Sequence, residues 1–255
     1  MKATYTSIPV DLCQYALINN RVNHLKLFLY LKTTSSGHIS MKNYNLYSAW
    51  ASDLELSERT IRNLFKWLIK NKWLTVNSKK VSYRIISYKQ LNRKLGFTNP
   101  KCFVFEEEFS KLKSFCSASV CTQAAKRKRY FDKIKRQSVS KLGDTSKNCN
   151  SRRNNLELST SYLASFLGVS KTTAHNIKKD ATKFHLLEIK SQKNYLLDKL
   201  GNKIEQDKMM IFRKNNQKLS GRLRTKKGFI AVIESDLVKS NLIMKTKRFK
   251  YRENI

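Results

Sequence analysis

Between positions 50 and 64 the apolar residues fall in two short stripes at helical spacing, broken by a polar turn. Ala51 and Leu54 lie on the first stripe and Ile61 and Leu64 on the second, each spacing suited to one buried helix face. Leu54 with Leu56 fills the angle between the helices, and the small Ala51 stands where they cross. Ser57 precedes the second helix, where its hydroxyl accepts from an otherwise unpaired amide. The whole pattern returns 113 positions later, with Ser170 in the place of Ser57. There Ala164 is the small residue, Leu167 and Val169 fill the angle, and Ala174 and Ile177 carry the second stripe.

Each copy is followed by a short strand, a polar turn and another strand. The first reads Trp73 to Val76, then Asn77 to Lys80, then Val81 to Ile86, a hairpin with a basic tip. The second reads Leu186 to Lys190, then Ser191 to Asn194, then Tyr195 to Leu197. Over about residues 20–90 and 155–200 the chain resembles the winged-helix branch of the helix-turn-helix superfamily. That resemblance implies that the second helix of each copy enters a major groove of duplex DNA while the wing touches the backbone beside it. Glu55 departs from the family, which prefers glycine at this turn position, as at Gly168; a side chain there bears a strained or altered turn.

The residues left facing outward are polar and largely basic. In the first head they are Ser57, Glu58, Arg59, Arg62, Asn63 and Lys66; in the second they are Ser170, Lys171, Thr172, His175, Asn176 and Lys179. Arg59 or Arg62 suits a bidentate bond to a guanine edge, and Asn63 or Asn176 one to adenine. Lys66, Lys79, Lys80, Lys179 and Lys193 are assigned to phosphates, contacts that position rather than specify. A single such match also fits a three-helix domain that binds protein; two copies in register weigh against that.

Outside these segments the pattern predicts helices within residues 8–32, with Leu25, Phe28, Leu29 and Leu31 on the core side, and reads His24 and His38 as surface or core residues. It breaks at Asn99-Pro100. Residues 104–115 read as a short amphipathic helix opening on Glu106, Glu107 and Glu108. A second helix runs over 124–136, where seven of thirteen residues are basic; Lys126, Arg127, Lys128 and Arg129 are either a solvated face or a clamp on phosphates. Residues 138–154 read as a linker rich in Ser, Asn and Lys. Met209 to Phe212, Phe229 to Ile233 and Leu242 to Met244 read as strands of an extended wing or small sheet on the second domain. The expected fold is therefore mainly α with small β wings (α+β). It comprises two winged helix-turn-helix domains, 1–98 and 155–255, the second with a β-rich basic extension. A basic helical connector and linker, 99–154, joins them.

Charge strengthens the reading. Lys and Arg number 52 against 18 Asp and Glu, a net +34. An AT-rich genome would enrich lysine and asparagine, but it would not also deplete Asp and Glu, so the excess reads as a footprint for a polyanion. Residues 111–154 carry 13 basic against 2 acidic residues, and residues 155–200 only 7 against 4, so the connector is more basic than the second head. Cys13, Cys102, Cys116, Cys121 and Cys149 form no paired framework and read as reduced thiols of a cytoplasmic, nucleoid-associated protein. No window is apolar enough to cross a membrane, and no leader is expected.

Searches for chemistry return little. The seven glycines never take the spacing of a phosphate loop, and the Cys and His spacings fit no familiar zinc site, so no metal, cofactor or small-molecule substrate is expected. Glu205, Asp207, Glu234 and Asp236 sit among lysines and read as ion-pair partners rather than a nuclease cluster. No catalytic activity is expected. The function expected is sequence-specific binding of double-stranded DNA, resembling the initiators of plasmid and phage replication, whose partners are replication proteins. A transcriptional regulator of a phage or mobile element, acting on RNA polymerase, accounts for the same residues. A nonspecific basic protein that binds RNA or packages nucleic acid is the third reading, and a recombinase or transposase would need a catalytic centre that the sequence does not display.

Overall fold

The computed structural model describes residues 5–40, 46–77, 81–140, 156–191, 195–197, 203–204, 221–224, 230–233 and 235–245. The fold is mixed α+β, with helices and small antiparallel sheets. The chain divides into two compact units. The first comprises Met1–Val120 and Leu242–Ile255, the second Cys121–Asn241.

The first unit opens with β1 (Tyr5–Pro9), α1 (Val10–Ile18), α2 (Val22–Thr34) and β2 (His38–Ser40). Then come α3 (Leu46–Leu54), α4 (Glu58–Lys70), β3 (Leu74–Asn77), β4 (Ser82–Ile85) and α5 (Tyr88–Lys94). β5 (Cys102–Glu106) follows, and a single 3-10 turn at Phe109–Lys111 leads into the long helix α6 (Leu112–Ser140). The strands β3 and β4 pair antiparallel as the hairpin expected from the pattern, and β2 adds on the other side of β4, in the order β2-β4-β3. Leu25, Phe28, Leu29 and Leu31 are buried, as the spacing of α2 predicts. Around them Trp73 meets Phe28 at 5.0 Å and Trp67 at 5.4 Å between ring centres, edge to face, an arrangement that adds to simple apolar burial.

Residues 102–106 correct the sequence reading. They form a strand, with Phe103 and Phe105 buried and Glu106 exposed, where the pattern suggested the first turns of a helix. The alternation of Phe103, Val104 and Phe105 has period two, which suits a strand, and the acidic run is the end of that strand rather than a helix start. β5 lies between β1 and β13 (Met244–Lys245), antiparallel to both. Leu242 and Ile243 are not in a strand, and the short strand at 244–245 belongs to the sheet of the first unit, not to an extension of the second.

The division between units falls inside α6, whose residues 114–125 are all buried. That stretch, Ser-Phe-Cys-Ser-Ala-Ser-Val-Cys-Thr-Gln-Ala-Ala, is built of mostly small side chains. The second unit continues through β6 (Leu156–Glu157), α7 (Thr160–Leu167), α8 (Lys171–Thr182) and β7 (Leu187–Lys190). After these come β8 (Tyr195–Leu197), β9 (Lys203–Ile204), β10 (Gly221–Arg224), β11 (Ile230–Ile233) and β12 (Leu237–Ser240). Here the expected hairpin does not form. β7 pairs with β12 in a sheet ordered β6-β12-β7, and β8 pairs with β9 and β11 in a separate sheet ordered β10-β11-β8-β9. The strand expected at 209–212 lies outside the described residues.

The two units thus share a plan. Each runs helix, strand, helix, turn, helix, strand, strand, with a three-stranded sheet whose middle strand is the last in sequence. In the first unit β3 is followed in sequence by its partner β4; in the second a four-stranded sheet intervenes between the corresponding strands.

Candidate nucleic-acid interface

The repeated pattern builds the same joint twice. At the first, the Ser57 hydroxyl accepts from the Thr60 amide at 3.2 Å and meets the Thr60 hydroxyl at 2.7 Å. At the second, Ser170 accepts from the Thr173 amide at 3.1 Å and meets its hydroxyl at 2.9 Å. Such caps satisfy a donor that the first helical turn leaves without a partner. The turn before each cap closes on a matched bond, Leu56 N–H to the Ala51 carbonyl at 3.0 Å and Val169 N–H to the Ala164 carbonyl at 3.1 Å. To make that bond the chain passes through the left-handed region, at φ +53° for Glu55 and +68° for Gly168. Glu55 therefore adopts the conformation that glycine adopts in the second copy, at the steric cost of its side chain.

Behind each joint, Leu54, Ile61 and Leu64 are buried in the first unit, and Leu167, Ala174 and Ile177 in the second. Each unit also buries a lysine. Lys26 donates to the Leu54 carbonyl at 2.6 Å, which ties α2 to the end of α3, and burial holds its ammonium below the ordinary lysine pKa. Lys178 donates to the Leu158 carbonyl at 3.0 Å and pairs with Asp236. Of the four carboxylates considered for a nuclease cluster, Asp236 is thus an ion-pair partner, and Glu205, Asp207 and Glu234 lie outside the described residues.

The outward face is where the pattern put it. Ser57, Glu58, Arg59, Arg62, Asn63 and Lys66 are exposed on or before α4, as are Ser170, Lys171, Thr172, His175, Asn176 and Lys179 on or before α8. Ser57 and Ser170 are committed to their caps. Arg62 is held on its own helix: its Nε donates to Glu58 at 2.9 Å, a second nitrogen contacts the same oxygen, and the guanidinium lies 4.7 Å from the centre of the Tyr47 ring. Tyr47 packs on Trp50 and Phe65, and burial raises its phenol pKa. Tyr47 stands three, four and seven positions before Trp50, Ala51 and Leu54, on the stripe of α3, but the pattern read from the sequence began at Trp50 and passed over it. Arg59, one position before the Thr60 of the cap, has no such partner among the described residues.

The basic run on α6 is engaged within the protein. Lys128 pairs with Glu157 at 2.8 Å and approaches Asp132 at 3.7 Å, and Arg127 lies over Phe166 and Phe131, 5.4 Å and 5.6 Å from the ring centres. These two side chains pack the second unit, while Arg129 is exposed and Lys126 half-buried. Lys79, Lys80 and Lys193, assigned to phosphates, lie outside the described residues.

The sequence reading also passed over a cleft of about 400 Å³ in the first unit, lined by Lys72, Thr75, Arg84, Ile86, Gln90 and Lys94. It gathers residues from the end of α4, from β3 and β4, and from α5, so no single window of sequence displays it.

No group of three His, Cys, Asp or Glu side chains capable of holding a metal occurs among the described residues, and no helix among them is long and apolar enough to cross a membrane. Cys13, Cys116 and Cys121 are buried, and burial pushes the Cys121 thiol up to about 12 and that of Cys13 well above its ordinary value, which suppresses the reactive thiolate. No family model, no curated protein and no solved structure matches this chain.

Proposed function

We propose that this chain is a sequence-specific double-stranded DNA-binding protein that reads its site with two winged-helix units. The observation that carries the reading is the duplication itself. A capped helix, entered through a left-handed turn and backed by a sheet of the same strand order, stands in both units with its polar face exposed. Three-helix domains without a DNA partner have no need to keep asparagine and lysine outward at matched positions in two copies. The net charge of +34 supplies the long-range attraction to phosphate.

At matched positions the heads share Asn63 with Asn176 and Lys66 with Lys179, and differ where Arg59 faces Thr172 and Arg62 faces His175. The shared pair suits an adenine and a phosphate in each half of the site; the unlike pairs make the two halves different. The site is therefore asymmetric. Arg59 is the base-reading candidate of the first head, because Arg62 has to leave Glu58 before it engages a guanine.

Selection of bound duplexes from a random pool at about 0.15 M salt, followed by sequencing, tests the reading. A bipartite asymmetric motif is the expected result, and its position in the source genome, at a replication origin or a promoter, separates an initiator from a regulator. Binding without any motif, with the same steep salt dependence on every duplex, would overturn the reading in favour of a nonspecific nucleic-acid protein.

A further inference from the structure

The cleft between β3, β4 and α5 gathers three cations, Lys72, Arg84 and Lys94, and no carboxylate. Thr75 and Gln90 add a hydroxyl and an amide, and Ile86 gives one apolar wall. Lys94 is positioned by donating to the Asn71 carbonyl at the end of α4. Lys72 is the next residue, and its backbone takes the left-handed φ of +55° that turns the chain back toward the buried Trp73. Arg84 is exposed and has no ion pair among the described residues.

The second unit provides an internal comparison. Thr75 pairs across the hairpin with Arg84; the repeat puts Glu188 in the place of Thr75, and Glu188 pairs across its sheet with Lys239. There the cation is neutralised, with Lys239 Nζ 3.2 Å from the Glu188 carboxylate and Asn241 donating to the same group at 3.1 Å. Among the described residues of the second unit no helix follows β12, as α5 follows β4 in the first. The same sheet surface is thus self-compensated in one unit and left positive in the other.

From this we infer that the cleft formed by Lys72, Thr75, Arg84, Gln90 and Lys94 is a binding site for a phosphate ester. Arginine offers a planar fork to two phosphate oxygens, the lysines add point charges, and the threonine hydroxyl and glutamine amide supply neutral donors. The phosphate belongs either to the backbone of bound DNA, which rests on the function proposed above, or to a free nucleotide.

The variants are Thr75→Glu, which installs the carboxylate that the second unit tolerates at the matched position, and the neutralising pair Arg84→Gln with Lys94→Gln. Ser110→Glu, on the exposed 3-10 turn, controls for net charge. Each full-length protein is titrated with its selected duplex over a range of salt, and separately with adenosine 5′-monophosphate and inorganic phosphate while the Arg84 Nε–H resonance is followed. A backbone site predicts that Thr75→Glu and the double variant lose about 0.9 from the salt slope, roughly fivefold in affinity at 0.15 M salt, beyond any loss in Ser110→Glu. A free-nucleotide site predicts a saturating shift of the Arg84 signal in the wild type that Thr75→Glu abolishes, with duplex binding unchanged. Duplex binding equal to the Ser110→Glu control, together with no shift on adding phosphate or nucleotide, overturns the inference while the DNA-binding function stands. Absence of duplex binding by the wild type overturns that function, and the nucleotide titration alone then decides the cleft.

Discussion

Replacing Gly168 by alanine isolates the cost of the turn that joins α7 to α8. The residue sits at φ +68°, and a Cβ built there meets no atom within 4 Å, so steric crowding with the rest of the unit contributes nothing. What remains is the clash of the methyl with its own backbone, about 1–2 kcal/mol for an L-residue in the left-handed region. Alanine also stiffens the unfolded chain, which returns about 0.4–1 kcal/mol. The expected net loss is about 1 kcal/mol, or a fall in Tm of about 4 °C for a unit of this size. Glu55→Gly is the reciprocal change at φ +53°. It relieves the strain but frees the unfolded chain and removes the attraction of Glu55 for the Lys26 ammonium, so a gain of about 0.5 kcal/mol is expected. Trp50, Trp67 and Trp73 all lie in the first unit, so urea titration read by tryptophan fluorescence follows Glu55→Gly, and far-UV circular dichroism follows Gly168→Ala. A neutral or stabilising Gly168→Ala, or a destabilising Glu55→Gly, would refute the claim that the two turns are the same strained joint.

Asp236→Ala leaves the Lys178 ammonium buried with the Leu158 carbonyl alone, and should cost about 2 kcal/mol, below the range for a fully buried pair because the Asp236 side chain is 28% exposed; a loss under about 0.5 kcal/mol by urea titration contradicts this. His24 stands 4.4 Å from the Trp67 ring centre beside Arg21, and burial, followed by the Arg21 charge, lowers its pKa to about 4. The folded state therefore favours the neutral imidazole. The contribution is complete above the unfolded value of about 6.5 and fades as pH falls toward 4. Tm should drop over that window in the wild type and drop less in His24→Phe; parallel curves would remove His24 as the cause. Glu58→Gln removes the carboxylate that holds Arg62 and should tighten duplex binding a few-fold at 0.1 M salt, whereas Arg59→Ala should cost about 1–3 kcal/mol and relax preference at one base pair. Equal losses for Arg59→Ala on all sequences, measured by fluorescence anisotropy, would make Arg59 a phosphate contact.

Both joints between paired helices, α3 with α4 and α7 with α8, were legible because every part of them is local. The cap needs only a serine three residues before the amide it accepts from, the buried stripe needs only helical spacing, and the left-handed turn announces itself through Gly168. Glu55 shows the limit of that logic, since its conformation follows from the helices on either side rather than from its own preference. The strand at 102–106 was misread because three glutamates resemble a helix start, and only pairing with β1 and β13 makes the two-residue alternation decisive.

The sequence alone determined the duplicated joint, its caps, the outward polar rows on α4 and α8 and the excess of positive charge, all properties of residues within a few positions of one another or of the composition. Only the tertiary structure decided which strands pair, so that β7 takes β12 rather than the neighbouring β8. It also decided which cations are spent: Arg62 on Glu58 and Tyr47, Lys128 on Glu157, Lys178 on Asp236, and Lys239 on Glu188. A strand edge accepts any partner of suitable register, and a lysine any nearby carboxylate. Both choices are made by groups far apart in the chain, and they become fixed only when packing brings those groups within hydrogen-bonding reach.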